Sequence, residues 1–142
     1  MTHHRLWAGS VADMSGLAAG RVFATIAVSS REVANDFYAG TLGLKVVEEN
    51  IGGVGFECGG ANLFVYVSDT AGTGSATAAM WEVADVSPVA EELAAKGVKF
   101  LHYDLPECEI VGDVHQWDGG SFKNAWFNDP DGNILGIVSG SM

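Results

Sequence analysis

RVFATIAVSSREVANDFYAGTLGLKVVEE, Arg21 to Glu49, and ATAAMWEVADVSPVAEELAAKGVKFLHY, Ala76 to Tyr103, follow one plan twice. Each opens with a β-prone stretch ending in Val28 or Val83, crosses a Ser/Asp boundary, and continues at helical spacing. Each then closes on a Gly followed by apolar residues around a Lys. The offset is 55 residues at the strand and 54 at the glycine, where Gly43 answers Gly97. A strand, a helix and the next strand recurring together mean one unit folded twice, and that decides the architecture. In the first unit Val33, Phe37 and Tyr38 fall at helical spacing behind the cap candidates Ser29 and Ser30. In the second, Asp85 or Ser87 can cap, Pro88 suits the first turn, and Val89, Leu93 and Ala94 form the apolar stripe. Both stripes read as core rather than as cofactor contacts.

A second match closes the units: GGANLFVYVS, Gly59 to Ser68, against PDGNILGIVS, Pro130 to Ser139, with Asn62 on Asn133 at an offset of 71. The larger offset places an insertion of about 16 residues in the second unit, and the loop DLPECEIVGDVHQWDGG, Asp104 to Gly120, accounts for it. Each unit therefore reads as strand, helix and three strands. The spans are 21–28, 31–41, 44–50, 54–58 and 62–68, then 77–83, 87–96, 98–103, 122–128 and 133–139. One domain over 21–139 is expected, with module one at 21–68, a Gly/Ser/Thr linker at 69–76 and module two at 77–139. Residues 1–20 are set aside as a flexible tail, so His3 and His4 carry no expected role.

The chain has 142 residues, 48% of them apolar, enough for one core. With 18 acidic against 7 basic residues its formal charge is −11. That balance disfavours nucleic acid and anionic membranes as partners, because binding phosphates needs clustered Lys and Arg, and neither is expected. No apolar run reaches the ~18–20 residues of a membrane span, and the N-terminus lacks the pattern of a secretory signal. A cytoplasmic protein is expected. Cys58 and Cys108 have neither the number nor the spacing of a disulfide framework or zinc site.

FNDPDGNILGIVS, Phe127 to Ser139, clusters carboxylates and amides as a metal loop would. An EF-hand loop needs Gly at its sixth place and Glu at its twelfth. Counted from Asp129, the Gly comes fourth and the twelfth residue is Gly140. DPDGN is instead a turn, with Pro130 presetting φ and the Asp side chains capping backbone. GGVGFECGG contains no phosphate-binding pattern, and tight turns explain its glycines. No nucleophile elbow of G-x-S-x-G form is present.

The tandem βαβββ repeat, with FYAGTLGLKV after the first strand and AWFNDPDGN before the last, resembles the vicinal oxygen chelate superfamily over residues 21–139. That superfamily includes glyoxalase I, extradiol dioxygenases, and the fosfomycin- and bleomycin-resistance proteins. The resemblance implies an α+β fold in which two βαβββ modules form a curved mixed sheet around a concave cleft. It also implies pairing of modules across a homodimer. Metal-dependent members take ligands from four strand positions, which fall here on Phe23, Ala78, Val65 and Gly136. Phe, Ala, Val and Gly supply no imidazole, thiolate or carboxylate, so no metal and no cofactor are expected.

Alternation carries the same face through Thr25, Ala27, Leu63, Val67, Met80, Glu82, Ile134 and Val138. The expected ligand-binding set is Phe23, Thr25, Val65, Ala78, Met80, Glu82, Trp126 and Gly136, with Ala78 and Gly136 leaving room. Apolar walls with few polar groups describe a small-molecule pocket, though the same side chains could simply pack together. Glu82 reads as an anchor for a ligand cation, as a general base if burial raises its pKa, or as a solvated strand end. Trp126 offers a stacking surface, Trp81 should face a helix, and Trp117 could belong to a lid. His102 and His115 could meet near Asp104, Glu107 or Asp113 as a second metal or acid/base cluster, and Lys123 reads as a surface cation. The expected function is metal-independent binding of an apolar or aromatic ligand, cationic ones included, of bleomycin-resistance type. The alternative is a glyoxalase-, epimerase- or dioxygenase-like enzyme with a non-standard site, either a metal held by His102, His115 and acidic residues or metal-free acid/base chemistry through Glu82.

Overall fold

The computed structural model describes residues 16–140. Residues 1–15 of the expected tail lie outside it, and Gly16–Ala19 forms a short exposed 3-10 turn. Module one comprises β1 (Ala24–Val28), α1 (Arg31–Asn35), β2 (Lys45–Asn50), β3 (Gly53–Cys58) and β4 (Ala61–Val67). Module two comprises β5 (Thr77–Glu82), α2 (Val86–Ala95), β6 (Phe100–Leu101), β7 (Glu109–Val111), β8 (Val114–Trp117), β9 (Phe122–Asn128) and β10 (Ile134–Gly140). The first sheet runs β1-β4-β3-β2; the second runs β5-β10-β9-β8-β7, with β6 also paired to β9. In both modules the first and last strands are parallel neighbours and the remaining pairs are antiparallel. The mixed α+β fold of tandem βαβββ units is therefore present.

The caps are Ser30, whose side chain accepts from the Val33 N–H, and Asp85, which accepts from Ser87. They are 55 residues apart, while the closing glycines Gly43 and Gly97, both at positive φ, are 54 apart. The extra residue of module one is absorbed by a π turn over Asp36–Thr41, where the Leu42 N–H reaches back to the Phe37 carbonyl. A π turn is how a helix takes one inserted residue without breaking.

One buried cluster lies between helices and sheets and includes Ile26, Val28, Val54, Phe56, Leu63 and Val65 from module one. Val86, Ala90, Leu93, Phe127, Leu135 and Ile137 continue it through module two. One end of the module junction is tied by polar groups. The Tyr38 hydroxyl donates to Asp129 Oδ2 at 2.7 Å, Ser29 N–H and Oγ donate to the Asp131 carboxylate, and Asn133 Nδ2 donates to the Ala27 carbonyl. Asp129 also accepts from the Asp131 and Asn133 N–H groups, the backbone capping expected of the DPDGN turn.

The insertion differs from the expected loop. Residues 109–117 form a hairpin, with Val111 opposite Val114 across a two-residue connection beginning at Gly112, whose φ is +65°. Gly in the first turn position of an EIV-GD-VHQW alternation is a hairpin signature. Trp117 belongs to this strand, its indole N–H donating to the Pro106 carbonyl, and is not a free lid.

Candidate functional site

Residues paired across neighbouring strands share a face of the sheet. In module one, Ile26 pairs with Val65 and Ala24 with Leu63, whereas Thr25 pairs with Phe64 and Ala27 with Tyr66. Val65 and Leu63 therefore sit on the helix side, where Val65 is buried against Ile26 and Val54. The expectation that Val65 shares the open face with Phe23 and Thr25 is corrected: Phe64 takes that place. In module two, Met80 pairs with Gly136 and Glu82 with Val138, so the equivalent of Gly136 is Phe64, at an offset of 72 rather than 71. Matching Asn62 to Asn133 concealed this one-residue difference, because Asn62 lies inside β4 while Asn133 precedes β10.

The face opposite the helices continues across module two as two rows. Met80, Gly136, Trp126 and Leu101 form one, and Glu82, Val138, Asn124, His115 and Ile110 the other. Trp126 does face this side, and Trp81 faces α2. Between the start of β1 and β4 and the end of β5 the modules part, leaving a cleft of about 700 Å³. Phe23, Met80 and Glu82 line it with Val22, Cys58 and Asn62 among others. Glu82 is the charged side chain of that lining. Of the expected set, Thr25 and Ala78 are exposed outside the cleft lining, and Ala78 is the extra residue of a bulge beside Ile134 and Leu135.

Two expectations about this face are revised. Gly136 leaves no vacant space, since a Cβ there would lie 2.7 Å from the Met80 sulfur and 3.2 Å from Trp126 Cδ1. The missing side chain is what lets Met80 and Trp126 close over the strand. Glu82 is exposed, so the burial that would make it a general base is missing. Phe23 at 49% and Met80 at 44% exposure, by contrast, present large apolar side chains to the cleft without cover.

The metal positions implied by the resemblance do not fit a metal. With the register corrected they are Phe23, Phe64, Ala78 and Gly136, which offer no donor atom, and the Met80 side chain occupies the place of the fourth. Among the described residues no group of three or more His, Cys, Asp or Glu side chains is placed to hold a metal ion.

His102 and His115 do come together, their rings 6.1 Å apart at 82°. His102 Nε2 lies 2.9 Å from Asp113 Oδ1 at the surface, while His115 is fully buried against Trp126 and Tyr103. The Tyr103 N–H donates to His115 Nε2 at 2.8 Å, which puts the neutral ring's proton on Nδ1. His115 Nδ1 and the oxygen of its cross-strand neighbour Asn124 are both buried without a protein partner. They are a donor and an acceptor on the face that Met80 and Trp126 share.

Burial, and then the nearby His102, hold the His115 imidazole below its ordinary pKa. The unfolded imidazole titrates near ~6.5, so below that pH the unfolded chain binds a proton that the folded chain resists. Stability conferred by neutral His115 is thus complete above ~6.5 and lost as pH falls through the folded value. Urea unfolding from pH 7.5 to 5 is expected to show this loss, and His115→Gln to flatten it. Equal pH slopes in both proteins would contradict the assignment.

Phe64, Asn124 and Tyr103 were not among the expected site residues. Asn124 had a readable signal, since its alternation with Trp126 puts both on one face. The sequence shows no register between β4 and β1, so Phe64 had none.

No protein-family model and no curated protein match the sequence. Solved structures do match. A lactoylglutathione lyase from Agrobacterium tumefaciens superposes with a TM-score of 0.63 at 18% identity, over 86% of this chain and 94% of that one. A glyoxalase family protein from Enterococcus faecalis gives 0.63 at 20% identity, over 82% and 94%. An integron cassette protein from the mobile metagenome of V. cholerae gives 0.58 at 19% identity, over 82% and 91%. The chain thus has the glyoxalase-type, vicinal oxygen chelate fold. Among the described residues no helix is long and apolar enough to cross a membrane.

Proposed function

We propose that the chain binds a small molecule, without a metal, in the cleft between its modules, in the manner of the bleomycin-resistance type of this fold. The observation that carries this reading is the cleft of about 700 Å³ walled by exposed Phe23 and Met80, with Glu82 as its charged group. Ligand pockets are mostly apolar, with a few placed polar groups and volumes of roughly 300–1,000 Å³. The ligand is apolar or aromatic, and a cationic end would face Glu82. Trp126 lies next to Met80 on the same face, outside the cleft lining, where it offers a stacking surface to a ligand that extends beyond the cleft. The proposal includes a cytoplasmic homodimer that contacts neither nucleic acid nor membrane.

Metal analysis of the purified protein and a thermal-shift screen of small molecules test it together. Substoichiometric metal and a stabilising aromatic ligand are expected. Phe23→Ala and Met80→Ala should each weaken that ligand about tenfold, and Glu82→Gln should discriminate against cationic members of the series. Stoichiometric zinc, nickel or iron would overturn the metal-free reading.

A second reading rests on the His102–Asp113 pair, a surface imidazole held by a carboxylate beside a buried histidine. It is a glyoxalase-, epimerase- or dioxygenase-like enzyme using acid/base groups outside the usual positions. Turnover abolished by His102→Gln but not by Met80→Ala would favour it.

A further inference from the structure

The two modules solve the packing of helix on sheet differently. Counting from the caps Ser30 and Asp85, Phe37 and Tyr38 of module one correspond to Glu92 and Leu93 of module two. Phe56 corresponds to Phe127, each buried on the helix side of its sheet. In module one the fully buried Tyr38 ring fills the interior, 5.2 Å from Phe37 and 5.9 Å from Phe56. Module two has no ring at either helix position. There a cavity of about 180 Å³ opens on the helix side, lined by Trp81, Val89, Leu93 and Phe127, with Leu42 and Leu44 closing it from module one.

We propose that this helix-side cavity is a second binding site, separate from the inter-module cleft, for one uncharged aromatic ring of benzene to indole size. The occupant's chemistry is indicated by module one, where aromatic rings take the equivalent place. The pocket is half-open to solvent, and its volume is of the order of the closed engineered apolar cavity of about 150 Å³ that binds benzene, which sets the occupant's size. Its neutrality follows from the walls: the rim charges Glu92 and Lys96 are solvent-exposed, and the Lys96 amine already donates to the Thr41 carbonyl. The cavity spans both modules, so an occupant would add contacts across their junction.

Titration of the full chain with benzene and with indole, followed by NMR, tests the site. Saturable shifts are expected at the Trp81 indole N–H and the Val89 and Leu93 methyls, with none at the Met80 methyl or Phe23. Leu93→Phe returns a ring to the position Tyr38 holds in module one and should weaken binding about tenfold or more. Val89→Phe fills the cavity from an adjacent turn and should do the same. Trp81 also borders the cleft, so the deciding signals are the Val89 and Leu93 methyls: absence of saturable shifts there in the wild-type chain, or shifts at Met80 and Phe23 instead, would overturn the proposal. So would unaltered affinity in both filling variants.

Discussion

Asp129→Ala is expected to lower the unfolding free energy by about 3–5 kcal/mol, and the melting temperature by on the order of 10 °C. The carboxylate is 4% exposed and saturated. Oδ1 accepts from the Asp131 and Asn133 N–H groups at 3.0 and 2.9 Å, and Oδ2 from the Tyr38 hydroxyl and Asn133 Nδ2 at 2.7 and 2.8 Å. Alanine leaves a buried phenol without an acceptor and releases the turn that feeds β10. Tyr38→Phe removes one of those bonds and should cost about 1–2 kcal/mol. A double-mutant cycle should show coupling of about 1 kcal/mol or more, since the two side chains touch. Burial, and then the Asp129 charge, push the Tyr38 phenol far above its ordinary range. The folded chain holds the neutral phenol, so this contribution is full below the unfolded value of ~10 and is lost as pH rises beyond it. Wild type should therefore lose stability in alkali more steeply than Tyr38→Phe. A loss below ~1 kcal/mol in Asp129→Ala would remove this network from the account of how the modules are joined.

Gly53→Ala is expected to cost about 3 kcal/mol or more, for a different reason. A Cβ there would lie 2.2 Å from the Val65 carbonyl oxygen and 2.8 Å from the Phe64 ring. Backbone of a paired strand cannot yield as a flexible side-chain end can. Either β3 moves away from β4 or Phe64 lifts from the sheet, and Phe64 stands on the face opposite the helices. The contrasting control is Gly136→Ala, where the close neighbours are the sulfur and methyl of the half-exposed Met80, free to swing into the cleft. Chemical denaturation of the two variants should separate them by at least ~1 kcal/mol. Equal losses would mean that the strand backbone accommodates the methyl as readily as Met80 does.

These glycines show where reading the chain ends. GGVGFECGG announces turns, and Asn50 to Gly53 is indeed a hairpin connection, with the Asn50 side chain accepting from both glycine N–H groups. Gly53, however, is required by the approach of Phe64 and the Val65 carbonyl from β4. That is a property of the pairing, which no local pattern records. Gly136 likewise has a readable meaning, the lack of a carboxylate, and an unreadable one, the closure of Met80 and Trp126 over it. The repeat itself held because caps, stripes and closing glycines are local chemistry. The 55-to-54 change in offset was visible from the start, yet only the backbone shows it to be a π turn.

The sequence by itself determined the tandem βαβββ architecture, the turn at DPDGN and the lack of donor atoms at Phe23, Ala78 and Gly136, because each depends on residue type and short-range spacing. Tertiary structure alone decided which side of β4 carries Val65, that Asp129 and Tyr38 join the modules, that His115 and Asn124 stand buried side by side, and that module two is hollow where module one holds a ring. Strand register and helix-to-sheet packing bring together residues tens of positions apart. A one-residue slip reverses every side chain on a strand, while the local sequence remains compatible with either face.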